Sequence, residues 1–400
     1  MASVILCSEL GESSSHLVML ADYAVELKAQ GYKVHVVGQD LAVAHQIPEF
    51  SDIPLFQTPA IGSAKQQGDG PPFDNLNYSS VLRNNGYHDV ATLAPLLRGW
   101  MNLVSALQAD LIVAHHAPTA LLTARLLKIP CIMTGAGYAV PPLTTPMSCI
   151  TPWREVTDEE LLLEDQMLLQ VVNDTYAELN FPRVRMHTAK ELISHAAQWI
   201  VSIPEMDHYG ARNQPYVARR YDSSRRLAAD WPMGPGDRIL VHLNADSPYL
   251  SPLLEQLTAN NAPTLVIVPG ASNGLVEMYK GTNIKVQRES VSIRQAVDQC
   301  KVFINEANHD LVYELLSYGV PSIFLPSEPE NKLLAYRLVK LRVGFTGPAS
   351  PAELDLERMI RANNEQDQVW HNAAGVSIKY EDREKLLRLH SVIKAELVVP

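Results

Sequence analysis

The chain has 400 residues, of which 46% are hydrophobic, and carries 33 basic against 44 acidic residues, a formal net charge of −11. This length predicts two domains, since a single core rarely grows beyond about 250–300 residues, and the apolar content excludes a disordered chain. The acidic balance argues against a nucleic acid as partner, because binding to its phosphate backbone requires a basic surface. The negative net charge is compatible with a small anion that is bound by local dipoles.

The N-terminal sequence, the apolar runs and the cysteines favour an intracellular protein. Residues 1–16 lack the basic and long apolar regions of a signal peptide, and no apolar run approaches the roughly 20 residues of a membrane span. The four cysteines are scattered without metal-ligand spacing, which predicts buried thiols. We therefore expect a cytoplasmic protein without a transmembrane segment.

In the first half of the chain, short apolar runs alternate with helical patterns. A strand at 3–9, a helix over 16–31 and a strand at 33–39 form a predicted βαβ unit. A second unit follows over 110–135, with a helix at 117–128 between its two strands. Residues 157–195 are predicted to be mostly helical, and a closing strand is predicted at 198–205, as follows from their apolar spacing.

In the second half the alternation restarts, and helices again fill the gaps between apolar runs. The final 40 residues are predicted to be helical. The predicted strands are 238–244, 264–270, 284–289, 301–306, 321–326 and 343–347.

Three segments lack such patterns: an irregular excursion over 59–88, a Pro/Thr loop over 140–152 and a connection between domains over 206–238. Continuous apolar strands between helices imply parallel sheets covered on both faces. The predicted fold is α/β, with two doubly wound, Rossmann-like domains that face each other across a cleft. We place these domains at 1–220 and 221–375, followed by a terminal helix at 376–400 that packs back on the first domain.

Ligands of open α/β sheets bind beyond the carboxyl ends of the strands, so the residues there are the site candidates. In the first half, His16 at a helix start is either a general base or a solvent-exposed histidine. His115 and His116 are adjacent on an extended segment, so that one of them faces the ligand side. It either orients another group or is a hydrogen-bonded structural histidine.

In the second half, Ser247 near a helix start is either an N-cap or a phosphate contact. The turn after strand 301–306 carries Glu306, Asn308, His309 and Asp310, which either cap the next helix or line a ligand site. The two acids would occupy the positive potential that a phosphate would use.

A third group follows the strand at 321–326. Glu330 and Asn331 begin another helix, and a paired carboxylate and amide suit hydrogen bonds to sugar hydroxyls as well as a solvated helix start. The chain contains no Walker-type loop, no G-x-G-x-x-G and no H-E-x-x-H, and the 13 histidines form no clear metal set, so no metal site is expected.

On these residues the chain resembles the GT-B glycosyltransferases, specifically the UDP-glycosyltransferase-like bacterial proteins. The stretch "SSSHLVMLADYAVELKAQGYKV" keeps the histidine of that family and its spacing to Gly31, although Ser15 replaces the glycine before it. The resemblance implies that His16 is the general base, which takes a proton from the acceptor hydroxyl. The partner aspartate of the family falls on His115, which cannot supply a negative charge.

The second half keeps the frame of the donor site but not its diphosphate motif. "GVPSIFLPSEPEN" is intact in shape, and Glu330-Asn331 occupy the position whose side chains hold donor sugar hydroxyls in the family. Where the family has "H-G-G" or "H-C-G", this chain has Glu306 and no glycine. A carboxylate has thus replaced the histidine that donates to the diphosphate.

The resemblance implies an inverting transfer of a sugar from a nucleotide sugar, with a UDP-sugar expected, to the hydroxyl of a small-molecule acceptor, without a further cofactor. We assign acceptor binding to His116 and Tyr138, and further donor contacts to Ser290 and Val291. The alternative is an inactive relative that serves as a binding or scaffold partner of a biosynthetic enzyme, in which case a protein partner is expected. A third hypothesis keeps catalysis but changes the ligand to a non-sugar or differently charged donor.

Overall fold

The computed structural model describes residues 2–10, 14–60, 74–214, 216–217 and 226–381. They form two compact units. Unit 1 contains the described residues within 2–203 and 212–217, and unit 2 those within 204–211 and 226–381. The predicted domain boundary near residue 220 lies outside the described residues.

Unit 1 is built on a sheet of six parallel strands in the order β3-β2-β1-β4-β5-β6. The strands are β1 (Ser3–Ser8), β2 (Lys33–Gly38), β3 (Leu55–Gln57), β4 (Leu111–His115), β5 (Cys131–Gly135) and β6 (Ala197–Ile200). The helices are α1 (Ser14–Ala29), α2 (Leu41–His45), α3 (Tyr78–Asn84), α4 (Val90–Ala106), α5 (Pro118–Leu127) and α6 (Asp158–Glu178).

Unit 2 repeats this architecture with the strand order β12-β11-β10-β7-β8-β9, again all parallel. The strands are β7 (Ile239–His242), β8 (Thr264–Ile267), β9 (Ile284–Gln287), β10 (Val302–Asn305), β11 (Ile323–Phe324) and β12 (Phe345–Thr346). The helices are α7 (Leu250–Asn260), α8 (Asn273–Met278), α9 (Ile293–Val297), α10 (His309–Ser317), α11 (Pro329–Lys340), α12 (Leu356–Glu365) and α13 (Asp367–Glu381).

Each sheet separates two apolar cores, because successive side chains of a strand point to opposite faces. In β1, Val4 and Leu6 pack into one core of unit 1 and Ile5 and Cys7 into the other. Burial on both faces explains why the central strands are continuous apolar runs rather than alternating ones.

Local signals fix several helix boundaries. Thr157 and Glu160 form a reciprocal capping box at the start of α6, and Pro118 opens α5, where its missing N–H has no intrahelical partner to lose. α5 ends at Leu127, and its C-cap residue Lys128 has a left-handed φ of 55°. This sharp stop returns the chain into β5.

The predicted α/β fold with two doubly wound parallel sheets is confirmed. The interpretation of 59–88 as an irregular excursion is wrong over 78–84, where α3 begins at a capping box formed by Asn77. Tyr78, Val81 and Leu82 are buried at helical spacing within a segment whose overall composition is that of a loop. Residues 61–73 and most of the predicted terminal helix lie outside the described residues.

β3, with only three residues, was not predicted. Within the described ranges, none of the helices combines the length and the apolar character that a bilayer span requires.

Candidate functional site

In unit 1, four of the predicted residues meet at the carboxyl ends of neighbouring strands. His115 is the last residue of β4 and His116 follows it, while Tyr138 lies in a short 3-10 turn just after β5. His16 reaches them from the first turn of α1, the helix that follows β1. β1, β4 and β5 are consecutive in the sheet, which explains the convergence.

His16 and His115 form a hydrogen-bonded chain that ends on a backbone carbonyl. His115 Nδ1 lies 3.1 Å from the Thr134 carbonyl oxygen, and His115 Nε2 lies 2.6 Å from His16 Nδ1. A carbonyl oxygen only accepts, so we assign the proton of a neutral His115 to Nδ1. Nε2 of His115 then accepts from the N–H at Nδ1 of His16, which leaves the lone pair of His16 on Nε2.

Gly135 and Thr134, which the sequence reasoning missed, shape the site around His115. A Cβ atom on Gly135 would lie 2.8 Å from His115 Nδ1, closer than a real contact allows. Gly135 also has a φ of 141°, which favours glycine. The only signal in the sequence was that a predicted strand ends in Gly135, directly after the strand that ends in His115-His116.

His116 is buried in aromatic surroundings and in a strained backbone conformation. Its ring stacks near Tyr78 and lies edge-on to Tyr138, with both centroid distances 6.1 Å. Its φ is 48°, and both ring nitrogens lack hydrogen-bond partners among the described residues. Burial, and then the nearby His16, lower its pKa to about 3. A neutral histidine with unused nitrogens suits an additional ligand contact.

Glu9, a residue that the sequence reasoning did not single out, seals the start of α5 beside this group. Its carboxylate accepts from the Thr119 backbone N–H at 2.7 Å and from the Trp100 indole at 3.2 Å. Burial raises its pKa to about 7, against the effect of these hydrogen bonds. The helix start after His115-His116 is therefore occupied by a carboxylate of the chain itself.

In unit 2, Glu306 directly follows β10 and is buried. Its Oε2 accepts from the Asn244 backbone N–H at 2.8 Å, and its Oε1 from the Ser327 hydroxyl at 3.1 Å. Burial raises the pKa of Glu306, and these hydrogen bonds oppose the rise. The buried Ser247 lies close enough to lower that pKa too, although its hydroxyl has no hydrogen bond within the described part of the chain.

The turn from Glu306 into α10 satisfies its own backbone N–H groups. Asn305 Oδ1 accepts from the N–H of Ala307, whose φ of 62° is left-handed. Asn308 is the N-cap of α10, and its Oδ1 accepts from the N–H of Asp310 and of Leu311. The predicted capping role of Asn308 is therefore present, and side chains take the N–H groups that a phosphate would use.

A second cluster of titratable side chains in unit 2 surrounds Glu330, which lies in the first turn of α11. Glu330 Oε1 lies 3.7 Å from His208 Nε2, and the His208 ring stacks on that of His309 at 5.9 Å. His309 Nδ1 lies 3.8 Å from a carboxylate oxygen of Asp310. Burial, and then Asp310, raise the pKa of Glu330 to about 7, although 29% of its side chain is exposed.

The remaining predicted donor residues differ in how far they are exposed. Asn331 follows Glu330 in α11 and is partly exposed, and Ser290 is exposed ahead of α9. The Val291 side chain is fully buried in one of the cores of unit 2, so only its backbone is left for a ligand. His208 was not predicted as a site residue.

Comparison with known proteins identifies the fold. No family model and no curated protein matches the chain. The glycotransferase of kitacinnamycin has a TM-score of 0.67 at 15% identity over 99% of both chains. The spinosyn rhamnosyltransferase SpnG has a TM-score of 0.65 at 13% identity, with 98% of this chain and 99% of that chain covered. The glycosyltransferase VinC, solved in complex with dTDP, has a TM-score of 0.66 at 12% identity over 98% of both.

Likeness at these identities establishes the fold. It agrees with the two six-stranded parallel sheets of the chain and with the residues that suggested the resemblance. The protein therefore has the GT-B fold, which it shares with these glycosyltransferases.

Proposed function

We propose that the protein transfers a sugar from a nucleotide sugar to a hydroxyl group of a small-molecule acceptor, with inversion at the anomeric carbon. The observation that carries this proposal is the hydrogen-bonded chain from His16 through His115 to the Thr134 carbonyl. It holds an imidazole with its lone pair on Nε2, which is what a general base requires.

In the proposed step, His16 Nε2 removes the proton of the acceptor hydroxyl while its oxygen attacks the anomeric carbon. The bond from that carbon to the diphosphate oxygen breaks, and the nucleoside diphosphate leaves with the bonding electrons. His115 accepts the hydrogen bond of the resulting imidazolium, and the Thr134 carbonyl holds the tautomer of His115. Because an imidazole does not supply the negative charge of a carboxylate, His115 stabilises the imidazolium less than a carboxylate would.

The donor would bind to unit 2. We assign sugar hydroxyl contacts to Glu330 and Asn331, since a carboxylate and an amide offer the matching acceptors and donors. The other residues that we propose to line the donor site are Ser247, Ser290, Val291, Glu306, Asn308, His309 and Asp310. Complexes such as that of VinC with dTDP support a nucleoside diphosphate as leaving group. In unit 1, His116 and Tyr138 would contact the acceptor.

The test is the release of UDP or dTDP from a panel of nucleotide sugars, with and without hydroxyl acceptors. His16→Ala should lower this rate by about 10²–10⁴-fold, the usual contribution of a general base, and leave donor binding measured by calorimetry unchanged. The exposed His45, at the end of α2, provides a matched control variant, His45→Ala. Unchanged turnover in His16→Ala would remove His16 from the mechanism.

A second candidate function is that of an inactive relative, a binding or scaffold partner of a biosynthetic enzyme. The specific observation in its favour is the turn after β10, where Asn305 and Asn308 already bond three backbone N–H groups. A third candidate, transfer from a donor without two phosphates, is favoured by the same turn. The wild-type protein should then bind neither UDP nor dTDP, nor their sugars, at millimolar concentration, whereas the main proposal requires such binding.

A further inference from the structure

The Glu306 carboxylate lies where three strand ends of unit 2 meet. β10 lies between β7 and β11 in the sheet, and Asn244 and Ser327 follow the ends of those two neighbours. One carboxylate oxygen accepts from the Asn244 N–H at 2.8 Å and the other from the Ser327 hydroxyl at 3.1 Å. Glu306 is only 4% exposed. Donors from both neighbouring strand ends thus converge on one buried carboxylate.

Two further buried donors lie at these strand ends. The Ser247 hydroxyl interacts with the Glu306 carboxylate and lowers its pKa. Asn305 Nδ2, on the chain neighbour of Glu306, has no hydrogen-bond partner among the residues that the structure describes. Buried polar groups in native proteins are normally bonded, so this unused donor indicates a ligand or water that completes its bonding. This strand end therefore offers more hydrogen-bond donors than Glu306 uses.

A backbone N–H, hydroxyl groups and an amide at the ends of parallel strands form the kind of concavity that binds anions. In unit 2, the anion already present is a side chain of the protein. A phosphate group brought to the same donors would meet the negative charge of Glu306, and like charges in a partly buried site repel strongly. Phosphate and Glu306 therefore compete for one position.

We infer that Glu306 is a built-in occupant of an anion-binding site in unit 2, and that a phosphate or diphosphate group binds there only when this carboxylate is displaced. The inference rests on the proposed function only in taking that group to belong to a nucleotide sugar. The presence of an internal anion makes donor binding weak in the wild-type protein and dependent on movement of the Glu306 side chain.

The experiment is calorimetric titration with inorganic pyrophosphate, a probe that needs neither the sugar contacts nor His16. Glu306→Gln removes the charge but still fills the position, whereas Glu306→Ala removes both. We expect Glu306→Ala to bind pyrophosphate at least about tenfold more tightly than the wild type, with Glu306→Gln in between. Equal affinities of all three proteins would overturn the inference.

Glu255, which is exposed on α7 of unit 2, provides the matched controls Glu255→Gln and Glu255→Ala. These substitutions change the net charge as the Glu306 variants do, but the donors of Asn244 and Ser327 bond to the Glu306 carboxylate. We expect a gain of less than about threefold from the control variants, because charge alone is screened at an exposed position. A gain equal to that of the Glu306 variants would attribute the effect to general electrostatics and contradict an occupied site.

Thermal unfolding with and without pyrophosphate shows whether each variant folds. Glu306→Gln is isosteric and keeps one acceptor, so it tests the inference even if the alanine variant does not fold. Adding Ser247→Ala to Glu306→Gln should remove part of the gained affinity, since it deletes one of the donors. Pyrophosphate binding is independent of proton removal, so failure here leaves the role of His16 standing, and failure of His16→Ala leaves this inference standing.

Discussion

His16 pairs with the imidazole of His115, a side chain that carries no negative charge. The Thr134 carbonyl determines which nitrogen of His115 is protonated, and that choice passes to His16 through the 2.6 Å contact. In the proposed transfer, His115 is a positioning residue, which acts on the reacting hydroxyl only through His16. A positioning role is recognised when a replacement that keeps the hydrogen-bond acceptor also keeps the activity.

His115→Gln and His115→Leu test this positioning role. The glutamine amide oxygen can accept from His16 Nδ1, whereas leucine of similar size accepts nothing. We expect His115→Leu to lower kcat for sugar transfer by about 10–100-fold with little change in the KM of the donor, and His115→Gln to retain most of kcat. Steady-state release of nucleoside diphosphate measures both constants. An equal loss of kcat in the two variants would indicate that His115 only packs.

Glu9 predicts a pH dependence of stability. In the folded protein it keeps its proton up to about pH 7, while its ordinary pKa of 4.5 holds in the unfolded chain. The folded state binds more protons between these values, so the free energy of unfolding falls as the pH rises through this window. Urea unfolding should show wild type losing about 1–3 kcal/mol relative to Glu9→Gln between pH 5 and pH 8. Parallel pH profiles of the two proteins would contradict a protonated buried Glu9.

At the scale of helices and strands, the sequence carried most of the fold because its signals are local. The continuous apolar strands and the helix at 117–128 follow from the burial of single segments, and the structure confirms them. β3 was not predicted, because its three residues are partly or fully exposed and are too few to show a hydrophobic periodicity. α3 was not predicted, because the Asn, Gln, Gly and Pro residues around it dominate the composition of that segment. Its side chains are buried by packing against α6, which lies far away in the sequence.

Asp165 in α6 shows how such distant elements are joined. Its Oδ1 accepts from the Ser79 hydroxyl at 2.6 Å and from the Asn77 amide at 3.1 Å, and its Oδ2 from the Met147 N–H at 2.9 Å. Both oxygens therefore accept, and three donors depend on them. α6, the start of α3 and the Pro/Thr loop over 140–152 are held together by one buried carboxylate.

Asp165→Asn should destabilise the protein by about 1–3 kcal/mol, because its amide nitrogen would face groups that themselves donate. The matched variant is Asp174→Asn on the same helix, where Asp174 is exposed and accepts from Gln170 alone among the described hydrogen bonds. It should change the free energy of unfolding by less than about 0.5 kcal/mol. Equal urea midpoints for the two variants would mean that the buried network contributes nothing.

At the scale of the whole molecule, the sequence predicted both parallel sheets and the resemblance to GT-B proteins. It predicted the arrangement of side chains within the sites only in part. The sequence indicated that His16, His115 and Glu306 stand at strand ends. It did not indicate that one histidine bonds the other, or that Glu306 accepts from residues about 20 and 60 positions away, because such contacts depend on strand order. Sheet topology supplied that information.

The release of nucleoside diphosphate from millimolar nucleotide sugar, by the wild type and by His16→Ala in parallel, tests the proposed transfer most directly. Water can serve as acceptor where the natural one is unidentified. We predict a rate for wild type that falls by about 10²–10⁴-fold in His16→Ala. Equal rates in the two proteins, or no release by the wild type from any UDP- or dTDP-sugar, would contradict sugar transfer through His16.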